Sequence, residues 1–250
     1  MKIILKVLLM SILASSCARN KKDIMVIGHR GARGHVAENT IASIKKAMDL
    51  GVDGIEIDVF RCSTGELVVF HDKTIDELTD GSGYIEQMSL DSLKQFQVLG
   101  KEPIPTLNEV MDLIDGKVML NIELKGTQTA VLTSELISSY MESSNWKSEH
   151  IFISSFDWNE LEQFRSINKN IAIAVLTEDD PLDAIPLASR LSAVAINPDF
   201  KSLNSINIEA IHKAGFKIYP WTINEIEDID EMIRLGVDAI ITDFPERVKR

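Results

Sequence analysis

The sequence predicts an α/β protein that folds as a TIM (β/α)8 barrel. Short β-branched apolar runs recur along the chain, and the stretches between them are long enough to hold amphipathic helices. Near-continuous apolar strands that alternate with helices are typical of a parallel sheet covered on its outside. The chain has 250 residues, 45% of them apolar, which suits a single barrel. We therefore predict one barrel domain over residues 24–250.

Nine apolar runs are candidate strands, although a barrel of this class needs only eight. Parallel neighbours require a crossover of about a dozen residues, yet only residues 61–66 separate the second run from the third. We predict that the third run, LVVF, returns as the antiparallel arm of a hairpin. A small insertion, about residues 60–105, then follows strand two. The nine runs are residues 24–28, 54–60, 67–70, 118–124, 151–156, 171–176, 193–197, 217–221 and 239–243.

Helical patterns fill the connections between these strands. Asn39 is placed to cap the first helix, and Gly51 and Gly236 are placed to end the first and the last. Residues 72–105 have weak periodicity and are expected to form an excursion beside the hairpin. Only PERVKR follows the eighth strand, so the closing helix is expected to be the weakest element. The clearest helical stretches are residues 39–51, 106–116, 129–144, 158–167 and 224–236.

The N-terminus has the pattern of an export signal. Lys2 and Lys6 flank an apolar run that is too short to span a bilayer, and small residues lead into Cys17. We predict a signal peptide over residues 1–16 and a polar tether over residues 17–23. Cys17 resembles the acylated cysteine of bacterial lipoproteins, and the alternative is a secreted protein cut nearby. The predicted location is the periplasm, or a membrane reached through this lipid anchor.

The charge and the cysteine content exclude several classes of partner and scaffold. The formal net charge is −12, so nucleic acid and anionic lipid surfaces are not expected as partners. Apart from Cys17 the only cysteine is Cys62, which we predict to be a half-buried residue and not a nucleophile. A disulfide framework is excluded, and no feature indicates an oligomeric state.

In a TIM barrel the active site lies at the carboxyl ends of the strands. Glu56 and Asp58 are two residues apart on one strand, so their side chains point to the same side. Together with Glu123 they offer three oxygen ligands, which suit one Ca²⁺ or Mg²⁺ ion. The alternative is a salt bridge to Lys125 or Arg30 without a metal. The polar residues predicted at this end are His29, Arg30, Glu56, Asp58, His71, Asp72, Glu123, Lys125, Ser155, Asn197, Trp221 and Asp243.

Two histidines and two cations complete this predicted cluster. A single histidine at a strand end is often structural, but His29 and His71 converge on three carboxylates and favour an acid–base pair. Arg30 and Lys125 are candidates to hold phosphate oxygens. These residues predict an anionic phosphodiester as the ligand.

Nine motifs, in order, resemble those of bacterial glycerophosphodiester phosphodiesterases over residues 24–247. That family folds as a TIM barrel of the PI-phosphodiesterase-like type, with a small insertion after strand two, which agrees with the strand count. The Pro that precedes ENT in the family is Ala37 here, a change that removes no functional group. The motifs are HRG (29–31), ENT (38–40), DGIEIDV (53–59), VVFHD (68–72), IPTLNEV (104–110), NIELK (121–125), SF (155–156), WTIN (221–224) and GVDAIITDFP (236–245).

The resemblance implies an enzyme that releases sn-glycerol 3-phosphate and an alcohol from small glycerophosphodiesters such as glycerophosphocholine or glycerophosphoethanolamine. A route proposed for the family begins with attack of the glycerol 2-hydroxyl on phosphorus and passes through a cyclic phosphate. Two alternatives remain: a lysophospholipase D or phosphoinositol-type phosphodiesterase, and a non-catalytic phosphodiester-binding lipoprotein. The implied roles are metal ligation for Glu56, Asp58 and Glu123, general acid–base catalysis for His29 and His71, phosphate binding for Arg30 and Lys125, and glycerol packing for Trp221.

Overall fold

Eight parallel strands form the central barrel of the structure, a computed structural model that describes residues 24–249. The predicted signal peptide and tether, residues 1–23, lie outside the described residues. The strands are β1 Met25–Gly28, β2 Gly54–Arg61, β6 Met119–Leu124, β7 Ile151–Ser155, β8 Ala172–Thr177, β9 Ala195–Pro198, β10 Lys217–Ile218 and β11 Ala239–Thr242. Their order around the barrel is β10-β9-β8-β7-β6-β2-β1-β11, and this arrangement confirms the predicted fold class.

The barrel closes between β10 and β11 through backbone hydrogen bonds that lie outside the regular strand ladders. The amide of Asp238 donates to the Ile218 carbonyl over 3.0 Å, and the amide of Ile241 donates to the Pro220 carbonyl over 3.1 Å. Pro220 has no amide hydrogen of its own, so it donates no bond across this seam. On the other side of β10, Pro198 of β9 also lacks the amide that would continue the regular ladder beyond Ile218. The predicted seventh strand, residues 217–221, is therefore shorter than its apolar pattern suggested.

The third apolar run, LVVF, is the return arm of a hairpin, as predicted. β3 Leu67–Val69 pairs antiparallel with β2, with Val68 opposite Phe60. The segment that follows holds the short helix α2 Leu90–Leu93 and the two-residue strands β4 Gln97–Val98 and β5 Glu102–Pro103. Its own small core includes Cys62, which is fully buried and not half-buried as predicted. The insertion is thus a folded element that can carry part of a site.

Seven helices cover the outside of the barrel in the described part of the chain, and a 3₁₀ turn, Pro245–Arg247, takes the place of the eighth. This confirms that the closing helix is the weakest element. Gly51 and Gly236 follow helix ends with positive φ angles of 75° and 92°. No helix among residues 24–249 is long and apolar enough to cross a membrane. The covering helices are α1 Ile41–Asp49, α3 Leu107–Ile114, α4 Thr129–Ser143, α5 Trp158–Ile167, α6 Ile185–Leu191, α7 Ser205–Lys213 and α8 Ile226–Leu235.

The predicted cap of the first helix is wrong by one residue. Thr40, not Asn39, caps α1: its hydroxyl accepts from the Ser43 amide over 3.1 Å, and the Ser43 hydroxyl accepts from the Thr40 amide over 3.2 Å. Asn39 has a φ of 56° and donates instead to Asp58 over 2.8 Å. Asn39 therefore belongs to the polar cluster at the carboxyl ends of the strands and not to the helix cap.

Alternation along the strands divides the core into two layers. Ile27, Phe152 and Ile241 fill the barrel interior, whereas their strand neighbours, such as Val26 and Ile240, pack under the helices. These apolar side chains fill the middle of the barrel, and polar side chains occupy the carboxyl ends of the strands. The fold therefore concentrates buried charge at one face.

Candidate active site

Three carboxylates meet on two neighbouring strands. β2 and β6 are parallel, with Asp58 opposite Glu123, and Glu56 lies two residues earlier on the same face. One ligand atom from each residue lies within 4.8 Å of the others, and all three residues are buried. The structure therefore brings together the predicted ligand set.

The electrostatics of this carboxylate triad suit a cation. Burial, and then the negative charge of Asp58, raises the pKa of Glu56 well above its ordinary value. The same two causes raise the pKa of Glu123 to about 8. The buried Oε1 atom of Glu56 has no hydrogen-bond partner among the described residues, and that of Glu123 has only the Lys125 ammonium within ionic range, at 3.2 Å. Three hard oxygen donors that cannot all remain ionised fit a divalent ion.

Arg30 reaches the triad from a tight turn after β1. Its backbone φ is 50°, its amide donates to Glu56 Oε2 over 2.9 Å, and its Nε lies 3.5 Å from Asp58 Oδ2. The turn packs so closely that a Cβ on Gly31 would lie 2.4 Å from Ser43 Oγ. Burial acts to lower the pKa of Arg30, but the carboxylates of Asp58, Glu38 and Glu56 outweigh it and raise that pKa. A fixed guanidinium therefore lies beside the carboxylates.

No role was predicted for Glu38, yet its carboxylate contacts both Arg30 and Arg33. Its Oε1 accepts from Arg30 Nη1 over 2.6 Å, and its Oε2 lies 2.6 Å from Arg33 Nε. Glu38 is buried, while the Arg33 side chain remains 41% exposed at the rim. The ENT motif was the available signal, because it places Glu38 just before a helix that is already capped by Thr40.

His29 is held by an acid from the other end of the chain. Its Nδ1 lies 2.7 Å from Asp243 Oδ1, and Asp243 also accepts from Asn224 Nδ2 over 2.8 Å. Burial lowers the pKa of His29, so the neutral ring is favoured. With its Nδ1 proton donated to Asp243, the ring turns its Nε2 lone pair toward the triad, 4.0 Å from Glu56 Oε2. Asp243 was predicted at this face but not as a partner of His29.

His71 approaches from the opposite side, on the hairpin. Its Nδ1 lies 2.6 Å from Asp72 Oδ1, and its Nε2 lies 3.2 Å from Lys125 Nζ. Burial lowers the pKa of His71. Burial also acts to lower the pKa of Lys125, but the charges of Glu123 and Asp58 outweigh it and raise that pKa. A protonated lysine therefore bridges this histidine and the triad.

Two aromatic rings close the far wall of the catalytic cavity. Trp221 meets Phe156 edge to face, with 5.4 Å between ring centroids, and its Nε1 donates to the Asn197 carbonyl over 2.9 Å. Trp221 and Phe156 line a cavity of about 370 Å³ that also contains both histidines. Ser155 lies at the same end but donates to the Leu124 carbonyl over 2.6 Å, so its contacts are structural.

Comparison with known proteins identifies the family. Residues 29–247 match the sequence model of the Glycerophosphoryl diester phosphodiesterase family. The chain belongs to this family. A glycerophosphodiester phosphodiesterase of Caldanaerobacter subterraneus subsp. tengcongensis is 36% identical over 231 residues, which is 89% of this chain and 95% of that protein. The family predicted from the nine motifs and its enzyme class, the glycerophosphodiester phosphodiesterases, are confirmed.

Solved structures of the family share the fold. An Oleispira antarctica phosphodiesterase, in complex with the product sn-glycerol-3-phosphate, has a TM-score of 0.81 and 29% identity, covering 90% of this chain and 95% of that one. A putative glycerophosphodiester phosphodiesterase of Galdieria sulphuraria has a TM-score of 0.80 and 27% identity, covering 91% and 97%. These solved structures therefore share the barrel fold of this chain.

Proposed function

We propose that the protein hydrolyses small glycerophosphodiesters, such as glycerophosphocholine and glycerophosphoethanolamine, to sn-glycerol 3-phosphate and an alcohol. The arrangement that carries this proposal is a pair of histidines on either side of a buried carboxylate triad. The product named in the Oleispira antarctica complex supports a glycerophosphate ligand for this chain as well. The substrate is therefore a small molecule, and nucleic acid is not a partner of this acidic protein.

In this proposal the triad holds one divalent cation, Ca²⁺ or Mg²⁺. The ligands are Glu56, Asp58 and Glu123, whose donor atoms lie within 4.8 Å of one another. When bound, the ion neutralises phosphate charge and polarises a phosphoryl oxygen. Arg30 and Lys125 hold the remaining phosphate oxygens, since both present protonated nitrogens at the edge of the triad.

The two histidines divide the proton transfers between them. His29 accepts the proton of the attacking hydroxyl at Nε2, because Asp243 fixes its tautomer and stabilises the imidazolium. His71, in its protonated form, donates a proton to the leaving alkoxide at Nε2 while Asp72 holds its Nδ1. Trp221 packs against the glycerol. If a cyclic phosphate forms first, the histidines exchange roles when water opens it.

The alternative functions have less support in the structure. A lysophospholipase D or a phosphoinositol-type phosphodiesterase needs an apolar or basic rim to dock on a membrane. The insertion instead carries acidic residues such as Asp76, Glu77 and Asp80 around few exposed apolar side chains. A phosphodiester-binding lipoprotein does not need a proton-transfer pair. The Asp243–His29 contact of 2.7 Å orients a ring nitrogen for proton transfer, which binding alone does not require.

The same proposal includes export and anchoring. Residues 1–16 act as the signal, Cys17 carries the lipid, residues 17–23 form the tether, and residues 24–250 form the barrel domain. The sequence pattern supports this assignment. Membrane contact then occurs only through the N-terminal anchor.

The test is release of sn-glycerol 3-phosphate from glycerophosphocholine by wild type, His29→Asn and His71→Asn, in the presence of divalent metal. Wild type is expected to turn over, and each variant is expected to lose about 10²–10⁴-fold in kcat. Far-ultraviolet circular dichroism and the melting temperature serve as the control for folding. Full activity in a folded His29→Asn protein would overturn the acid–base assignment.

A further inference from the structure

A second depression lies beside the catalytic cavity, between the insertion and the loop after β6. We call it the side groove: it is lined mainly by Lys73, Tyr84, Glu86, Phe156 and Asp157. It also shares Glu123, Lys125 and Phe156 with the catalytic cavity, so the two spaces are adjacent and Lys125 borders both. A molecule whose phosphate lies at Lys125 can extend into both.

Hydrogen bonds between the insertion and the loop after β6 fix the floor of the side groove. Glu86 Oε1 accepts from the Thr127 amide over 3.0 Å and from the Thr127 hydroxyl over 3.2 Å, which ties the insertion to the loop after β6. Gly126 makes this contact possible. A Cβ at that position would lie 2.8 Å from the Phe60 ring and 3.0 Å from Glu86 Oε1. The two walls are thus held at a fixed separation.

The aromatic ring of Tyr84 is exposed to solvent above this floor. The residue is 56% exposed, yet its backbone is fixed: it bridges Thr74, and the next residue, Ile85, is fully buried. The amide of Ile85 also donates to the Lys73 carbonyl over 3.0 Å. Across the groove, Phe156 is 39% exposed. Two exposed rings on rigid backbone are a surface suited to a ligand.

The charges of the side groove favour a cation. Glu86 and Asp157 contribute two carboxylates. Among the described residues that line the groove, Lys73 is the one cation outside the ion pair of Lys125 with Glu123. Aromatic faces combined with carboxylates are the usual recognition surface for alkylammonium groups. The groove also lies on the side of His71, whose Nε2 is 3.2 Å from Lys125 Nζ.

We propose that the side groove is the subsite for the leaving head group and that it takes an ammonium alcohol such as choline or ethanolamine. This inference rests on the proposed function, which places the glycerol half between His29 and Trp221. In-line displacement requires the attacking and leaving oxygens to lie on opposite sides of phosphorus. The head group then points past His71 and Lys125 toward Tyr84.

The experiment compares glycerophosphocholine with glycerophosphoglycerol, which has the same glycerol half and a neutral head group. For Tyr84→Ala we expect kcat/KM to fall about threefold to tenfold on glycerophosphocholine, mainly through KM, and to change less than about twofold on glycerophosphoglycerol. The inhibition constant of sn-glycerol 3-phosphate should not change, because the product lacks the head group. Leu99→Ala is the matched control, since Leu99 is 55% exposed on the same insertion but does not line the groove.

Glu86→Gln tests the charge separately from the shape. The amide oxygen of the glutamine still accepts from Thr127, so the groove keeps its walls while losing one negative charge. The expected result is again a selective loss on glycerophosphocholine. Equal losses on both substrates, or no loss in either variant, would overturn the head-group subsite while leaving the proposed function intact. If wild type hydrolyses neither substrate, both proposals are wrong.

Discussion

Replacing Glu123 with Gln should remove the pH dependence of stability that the raised pKa of Glu123 gives to the carboxylate triad. The pKa of Glu123 lies at about 8, against an ordinary value of 4.5, because of burial and the charge of Asp58. A raised carboxyl pKa means that the folded protein binds a proton which the unfolded chain has already lost. Stability is therefore fully present below about pH 4.5 and declines as the pH rises toward 8.

The magnitude follows from this shift. Between pH 7 and 8.5, linkage gives a loss of about 1 kcal/mol from Glu123 alone, which corresponds to a few degrees in Tm for a domain of this size. This window also separates the carboxylates from the histidines. The pKa values of His29 and His71 are lowered from 6.5 by burial, so above neutral pH both rings are uncharged in the folded and the unfolded states.

The assay is thermal unfolding of chelated protein at the two pH values, with Glu123→Gln as the comparison. Wild type should lose about 1 kcal/mol more than the variant over this range. Excess Ca²⁺, at about 100 times its Kd, should restore about 2.7 kcal/mol to wild type at pH 8.5. Equal pH slopes for the two proteins, or a wild type that gains stability with rising pH, would refute this account of the triad.

Three further changes probe other parts of the molecule. Asp243→Asn should lower kcat by about a hundredfold or more with little change in KM, because His29 loses the partner that fixes its tautomer; an unchanged kcat would contradict this. Gly31→Ala should lower the free energy of unfolding by about 1–3 kcal/mol more than Gly65→Ala, because both glycines have positive φ but only Gly31 is tightly packed; denaturant titrations giving equal losses would show that packing is not the cause. Cys17→Ala should move the protein from the membrane fraction to the soluble fraction, and continued membrane recovery would argue against the anchor.

The barrel was predictable because strand periodicity and connection length are local properties of the sequence. Six residues between two apolar runs are too few for a parallel crossover, so LVVF had to form a hairpin. The early end of β10 was harder to predict, because the apolar pattern continues through Tyr219 while Pro198 and Pro220 supply no backbone amide hydrogen. Backbone donors decide that boundary, and hydropathy does not report them.

The candidate site was predictable as a list of residues but not as a set of contacts. A fixed strand period places Glu56 and Asp58 on one side, and parallel neighbours bring Glu123 to them. The pairing of His29 with Asp243 joins residues 214 positions apart, and it depends on the barrel closing. Asn39 was assigned to a helix cap because its residue type suits both roles, and only the turn geometry separates them.

The measurement that tests the central claim most directly is the rate of sn-glycerol 3-phosphate release from glycerophosphocholine and glycerophosphoethanolamine as metal is removed and returned. A metal-dependent phosphodiesterase should stop in EDTA and recover when Ca²⁺ or Mg²⁺ is added in excess. Glu123→Ala should require far more metal for the same recovery, because one of three carboxylate ligands is gone. Unchanged turnover in EDTA by protein shown to be metal-free would contradict the assignment of the triad, and no release under any condition would contradict the proposed function itself.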